Sequence, residues 1–176
     1  PAYRASSTIE RALRSVALQT VLPREIIIVL DGPDVSLSKV IGSFAAVYRD
    51  VCIRVLEQSH SGAGAARNFG ISQAVGKYIA FLDADDEWFP EKVEKSISHL
   101  IQGSFTMICH NVILSDGSED RYIDCFKHLN KTRKDQFVPL YIWGFISTST
   151  VVVDRNSVIK VGGFDRGLAN GQDFDL

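Results

Sequence analysis

Apolar positions along this chain follow two different spacings, and the spacing changes element by element. Ile9, Ala12, Leu13, Val16 and Ala17 recur at helical intervals, and Ser7 precedes Glu10 with capping-box spacing, which predicts a helix from about Thr8 to Gln19. Glu25 to Leu30, EIIIVL, is instead a continuous β-branched run closed by Asp31-Gly32, the pattern of a strand buried on both faces. Leu37, Val40, Ile41, Phe44 and Val47 return to the helical spacing, and Cys52 to Leu56 reads as a short strand.

The loop QSHSGAG then runs into AARNFGISQAV, a helix stopped by Gly76, and Tyr78 to Leu82 forms the next strand. Pro90 suits the first position of a further helix carrying Val93, Ile97, Leu100 and Ile101. Helix and strand alternate with short connections, so the fold class is α/β, with a mainly parallel central sheet flanked by helices. After Phe105 the rhythm changes. FTMICHNVIL reads as strand, SDGSED as a turn, a polar and basic stretch runs to Gln136, and WGFISTSTVVV reads as one more strand. With no repeat and no low-complexity linker, the change separates two lobes of one domain, residues 1–111 and 112–176.

Composition adds limits. The 176 residues are 45% hydrophobic and 23% charged, ordinary globular material with a formal net charge of -2. That balance gives no push toward nucleic acid, although Lys127, Lys131, Arg133 and Lys134 form a local basic cluster whose bland reading is a solvated loop. Three widely spaced cysteines and four histidines without H-x-x-x-H pairing suggest neither a disulfide framework nor a zinc site, and a reducing, cytoplasmic setting fits them. No apolar run approaches the length of a membrane span.

The chemistry concentrates in YIAFLDADDEWFP, which places Asp83, Asp85 and Asp86 within four residues directly after a hydrophobic strand. Like charges so close repel, and burial beside a core sharpens the repulsion. A divalent cation would offset it, since magnesium or manganese takes one or two protein carboxylates together with substrate phosphate oxygens. The competing structural reading is that Asp85 or Asp86 caps the helix at Pro90. In open parallel sheets ligands bind beyond the carboxyl ends of strands, so Asp31 and the acidic cluster are expected to face one crevice. A calcium-loop reading fails because Trp88 stands where Gly is needed and Pro90 lies inside the loop. Gly62, Gly64 and Arg67 nearly trace G-x-G-x-x-G, with Arg in place of the third Gly, which keeps a dinucleotide-binding oxidoreductase as an alternative.

Together the segments PAYRASSTIERALRSVALQT, EIIIVLDGPD, SGAGAARNFGISQAVGKYIAFLDADDEWFPEKV, STSTVVV and VGGFDRGLANGQDFDL resemble the family 2 inverting glycosyltransferases of GT-A fold, in the family's order. The resemblance implies a nucleotide-sugar donor, UDP- or GDP-linked, a carbohydrate or lipid-linked acceptor, a Mn2+ or Mg2+ cofactor, and a role in surface polysaccharide or glycoconjugate synthesis; a non-catalytic nucleotide-sugar-binding module is the second reading. On it, Tyr3 and Asp31 hold the base, Arg67 and Asn68 line the donor site, Asp83 lies near the ribose, Asp85 binds the metal and Asp86 assists. Asp173 in GQDFDL would be the general base that takes a proton from the acceptor hydroxyl.

Four positions depart from the family pattern: Leu30 for the first Asp of D-D-G, Arg4 for Asn, Arg166 for Glu and Gln172 for Glu. The family's first strand is expected before Pro1 and acceptor-site helices after Leu176, which implies a truncated catalytic domain, with a domain-swapped homodimer as a further expectation. The basic cluster is the candidate for peripheral contact with an anionic lipid carrier at the inner face of the membrane.

Overall fold

The computed structural model describes residues 1–115, 117–125, 127 and 146–168. Its first half alternates as the spacing predicts: α1 (Ile9–Ala17), β1 (Ile26–Asp31), α2 (Val35–Val47), β2 (Ile53–Gln58), α3 (Ala63–Gln73), β3 (Tyr78–Ala80) and α4 (Lys92–Gly103). Then come β4 (Met107–Ile108), β5 (Val112–Ser115), β6 (Asp120–Ile123), a 3-10 turn at Thr148–Thr150, β7 (Val152–Asp154) and α5 (Arg155–Lys160). Asp173, Lys131, Arg133 and Lys134 lie outside the described residues, as does most of the stretch expected to shape the acceptor side.

β1 and β2 pair in parallel, from Ile26 opposite Ile53 to Asp31 opposite Gln58. Ala2 extends this parallel set on the other edge of β1, donating its N–H to Val29 and accepting from Asp31. The sheet departs from the parallel expectation beyond that point. β7 runs antiparallel to both β3 and β4 and lies between them, and β5 and β6 form a separate antiparallel hairpin. β7 enters this sheet from the opposite direction, so its pairs with β3 and β4 carry the perpendicular hydrogen bonds of antiparallel ladders.

Two apolar clusters hold the layers together. Leu37, Ile41 and Phe44 of α2 pack with Ile9 and Leu13 of α1 on Ile28 and Leu30, and Leu37 is fully buried. Burying each such side chain contributes about 1.5–3 kcal/mol. The second cluster joins Ile71, Phe81, Val151, Val153, Val158 and Phe164. Between β1 and β3, which share no ladder, lies a cavity of about 440 Å³ walled by both strands and by residues of α1, α3 and α4.

Several local expectations change in the folded chain. Thr8, not Ser7, is the cap residue of α1, its side chain makes no capping bond, and Glu10 pairs with Arg14 instead. α4 begins at Lys92 rather than Pro90, and no acidic-cluster carboxylate caps it. Gln19 does that work from the end of α1, accepting from Val93 N–H and donating to the Phe89 carbonyl. FTMICHNVIL splits into β4 and β5, because Asn111 turns its amide to Cys125 N–H and the Tyr122 hydroxyl. STSTVVV is a turn before it is a strand.

Candidate active site at the strand ends

Asp31 ends β1, and the parallel register puts the end of β2 and the loop after it beside its carboxylate. Gln58 Nε2 and Ser61 N–H donate to Oδ1 at 2.8 Å each, while Gly62 N–H and His60 Nδ1 reach Oδ2 at 2.9 and 2.8 Å. An ionised carboxylate has about four lone-pair sites, and all are used. Burial opposes the charge of Asp31, yet these donors outweigh it and hold the carboxyl below its usual range. Gly62 sits at φ +88°, a conformation costly for a side-chain-bearing residue, and this lets its N–H turn toward Asp31 at the start of α3.

Tyr3 lies over the same loop, its ring stacked on His60 at 4.3 Å between centroids and 18° between planes. The Arg4 guanidinium lies 5.1 Å from the Tyr3 centroid. Arg4 adopts φ +51°, a left-handed backbone that Asn tolerates better than most residues.

From α3, the buried Arg67 donates to Asp83 Oδ1 at 2.7 Å and lies over the Phe164 ring. Asn68, one residue on, does not offer its amide to the crevice: Nδ2 donates to the Phe164 carbonyl and Oδ1 accepts its N–H, at 2.7 and 2.9 Å. It latches the GGFD turn, where a Cβ on Gly163 would come within 2.3 Å of Asn68 Oδ1.

The acidic loop is held through its backbone. Asp83 N–H donates to Ser149 Oγ, Asp86 N–H to the Asp83 carbonyl, Trp88 Nε1 to the Ser149 carbonyl, and Arg11 to the Asp85 carbonyl. Arg11 also pairs with Glu87 at 2.9 Å. The carboxylates of Asp85 and Asp86 stand exposed, and that of Asp85 has no hydrogen-bond or ion-pair partner among the described residues. Partial burial, and then Asp85 and Asp83, push the Asp86 carboxyl up despite its bond from Ser149.

Among the described residues no three His, Cys, Asp or Glu side chains form a ready-made metal cage. One or two open carboxylates suit a cation whose other positions are filled by diphosphate oxygens, so the donor set fits magnesium or manganese. Asp31 ends β1 with Tyr3 over the loop beside it, Arg67 holds Asp83, Asp85 and Asp86 follow in the same loop after β3, and Asn68 turns to the Phe164 backbone instead. The residues that spacing did not single out are His60, Gln58, Ser149 and Arg11. The first two were within reach: parallel neighbours bring their C-terminal loops together, so the loop after β2 had to meet Asp31.

Comparison with known proteins decides the family. The sequence matches the family described as Glycosyl transferase family 2 over residues 1–162. The chain belongs to that family. Among its relatives, the amylovoran biosynthesis glycosyltransferase AmsB of Erwinia amylovora is 32% identical over the whole of this chain and 60% of its own length. The putative teichuronic acid biosynthesis glycosyltransferase TuaG of Bacillus subtilis is 32% identical over 92% of this chain and 62% of its own. S. aureus TarS 1-349, solved in complex with UDP, superposes with a TM-score of 0.78 at 19% identity, covering 99% of this chain and 51% of TarS 1-349. The mannosyltransferase PcManGT of Pyrobaculum calidifontis, solved with GDP-Man and Mn2+, gives 0.72 at 15% identity over 98% and 48%. The fold of this family 2 chain is thus GT-A, and the chain spans about half to six-tenths of the length of these proteins. Among the described residues no helix is long and apolar enough to cross a membrane.

Proposed function

We infer that the protein is a metal-dependent inverting glycosyltransferase that moves a sugar from a nucleotide diphosphate to an acceptor hydroxyl in surface polysaccharide or glycoconjugate synthesis. The observation that carries this reading is the Asp85 carboxylate: exposed, without a hydrogen-bond or ion-pair partner among the described residues, beside Asp86, and with no helix-capping role. TarS with UDP and PcManGT with GDP-Man support a UDP- or GDP-linked donor, and AmsB and TuaG, named for amylovoran and teichuronic acid biosynthesis, support a carbohydrate acceptor.

Tyr3 and the Asp31 loop would hold the base, while Arg67 holds Asp83 in place beside the sugar-nucleotide. Asp85, with Asp86, would hold a manganese or magnesium ion, which supplies neutralisation of the charge that grows on the leaving diphosphate. Asp173 takes the proton of the acceptor hydroxyl as that oxygen bonds to the anomeric carbon. The bond to the diphosphate oxygen breaks on the opposite face, so the configuration inverts. The Asn68 latch on Phe164 fixes the segment that leads toward Asp173.

The test is calorimetric titration of UDP and GDP into the full-length protein, with and without manganese, for wild type and Asp85→Ala. Manganese-dependent binding of one nucleotide, weakened at least about a hundredfold in Asp85→Ala, is the expected result, since losing a metal ligand removes most of the ion's contribution. Nucleotide binding indifferent to manganese and to this substitution would overturn the reading.

A further inference from the structure

Three polar side chains of α1, spaced four residues apart, run along the backbone that leads out of the acidic loop. Ser15 Oγ accepts from Trp88 N–H at 3.1 Å. Gln19, just past the end of the helix, donates to the Phe89 carbonyl at 2.8 Å and accepts from Val93 N–H at 2.9 Å. Residues four apart share one helix face, so the stripe begins one turn earlier, at Arg11. Arg11 Nη2 donates to the Asp85 carbonyl at 2.7 Å, and its Nε pairs with Glu87 at 2.9 Å. Ser15 and Gln19 are buried, whereas Arg11 and Glu87 are exposed. Asp85 depends on the first of these Arg11 contacts. Among the described residues its carboxylate has no partner, and Arg11 makes the only hydrogen bond to its backbone. With no bond of its own to aim it, the carboxylate goes where the Asp85 backbone sends it.

We propose that Arg11 is a positioning residue of the metal site: from α1 it fixes the Asp85 backbone and so aims the Asp85 carboxylate at the ion. This rests on the metal-dependent reading above. The planar guanidinium suits a two-point contact, because its N–H groups leave in fixed directions, here one to a carbonyl and one to a carboxylate. The same contact occupies Glu87, so the last of the consecutive acids Asp85, Asp86 and Glu87 is paired before a cation arrives. Charge alone argues the other way. A guanidinium beside the acidic loop repels a cation, and it already opposes the upward push that burial and the neighbouring acids exert on the Asp86 carboxyl. Arg11 therefore weakens manganese binding if only its charge matters and strengthens it if it positions Asp85. The two roles differ in sign, which makes them separable.

The experiment compares wild type with Arg11→Lys and Arg11→Ala in the full-length protein. Manganese is titrated into each protein saturated with UDP or GDP, whichever binds, and the same nucleotide is titrated separately without metal. Wild type should bind manganese most tightly and Arg11→Ala about tenfold more weakly, the scale on which residues behind a metal ligand act. Arg11→Lys keeps the charge and can make one of the two contacts but not the fork, so it should fall between them. Nucleotide affinity without metal should be the same in all three. Because both members of the Arg11–Glu87 pair are exposed, the variants should melt close to wild type in metal-free buffer, so a lost fold does not explain the weaker binding. If Arg11→Ala binds manganese as tightly as wild type, or more tightly, the guanidinium acts at most as a charge and the assignment is overturned. A loss matched by an equal loss of metal-free nucleotide affinity overturns it too, since Arg11 would then support the whole crevice. In either case the glycosyltransferase reading stands. Wild type that binds nucleotide with no response to manganese overturns the metal-dependent reading and this assignment together.

Discussion

Two carboxylate sites end two strands of this chain, and the protein treats them in opposite ways. Asp31 at the end of β1 is buried, surrounded by four donors and held below the usual carboxylate range. Asp85 and Asp86, beyond β3, are exposed, and the Asp86 carboxyl is pushed up by partial burial and by its acidic neighbours. One carboxylate is finished as a structural element; the other pair is left costly. A charge that its own fold already satisfies organises a loop, whereas charges that the fold leaves crowded need a partner from outside.

The largest effect should come from breaking the finished site. Asp31→Ala strands the side chain of Gln58, the ring of His60 and two backbone N–H groups, at a cost of about 3 kcal/mol in urea denaturation. The sign of its pH dependence follows from the lowered carboxyl. Asp31 contributes stability above the ordinary carboxylate value of the unfolded chain, and loses it as pH falls through the lower folded value. The deficit of the variant should therefore be full at neutral pH and narrow in strong acid. A deficit that grows in acid would mean that the four bonds do not favour the charged form.

How much of this contrast can be read from the chain depends on whether its causes are local. The crowding of Asp83, Asp85 and Asp86 is written in four consecutive residues, and so is the strand that precedes them. The helical spacing of Leu37, Ile41 and Phe44 is equally local, and all three are buried as it implies. The saturation of Asp31 is not local: its donors lie 27 to 31 residues away and meet it only through the β1–β2 register. The same holds for Gln19, 74 residues from the Val93 N–H it caps, and it explains why Pro90 and the acidic residues looked like the natural start of α4. The split of FTMICHNVIL is set by Asn111 reaching Cys125, again outside any window of alternation. Spacing reveals what repeats along the chain, and it misses which side chain will turn to a distant backbone.

A smaller effect is expected where the crowded site receives its one buried support. Ser149 Oγ accepts from Asp83 N–H at 3.0 Å and bonds to the Asp86 carboxylate. Ser149→Ala removes both contacts and should cost about 1 kcal/mol. Because the bond to Asp86 favours its charged form, the loss should be larger at pH 7 than at pH 4. Manganese-dependent nucleotide binding should weaken with it, since Asp83 and Asp86 are no longer tied to one hydroxyl. Equal losses at the two pH values would place the whole cost on the Asp83 N–H.

The smallest effect runs in the other direction. With its carboxyl raised, folded Asp86 holds a proton at pH values where the unfolded chain has released it, so stability falls as pH climbs through that window and the whole penalty is present at neutral pH. Asp86→Asn removes the charge. In metal-free buffer at pH 7 it should stabilise the protein, by only about a few tenths of a kcal/mol because the group is exposed and solvent screens it. The gain should shrink in added salt and vanish below the carboxylate range. Adding manganese with the preferred nucleotide should reverse the order, since a ligand stabilises the form that binds it better. Thermal melts of the two proteins in metal-free buffer and in manganese with nucleotide measure both signs. If Asp86→Asn is the less stable protein in metal-free buffer at neutral pH, the crowded carboxylates are not in conflict, and the contrast with Asp31 loses its physical basis.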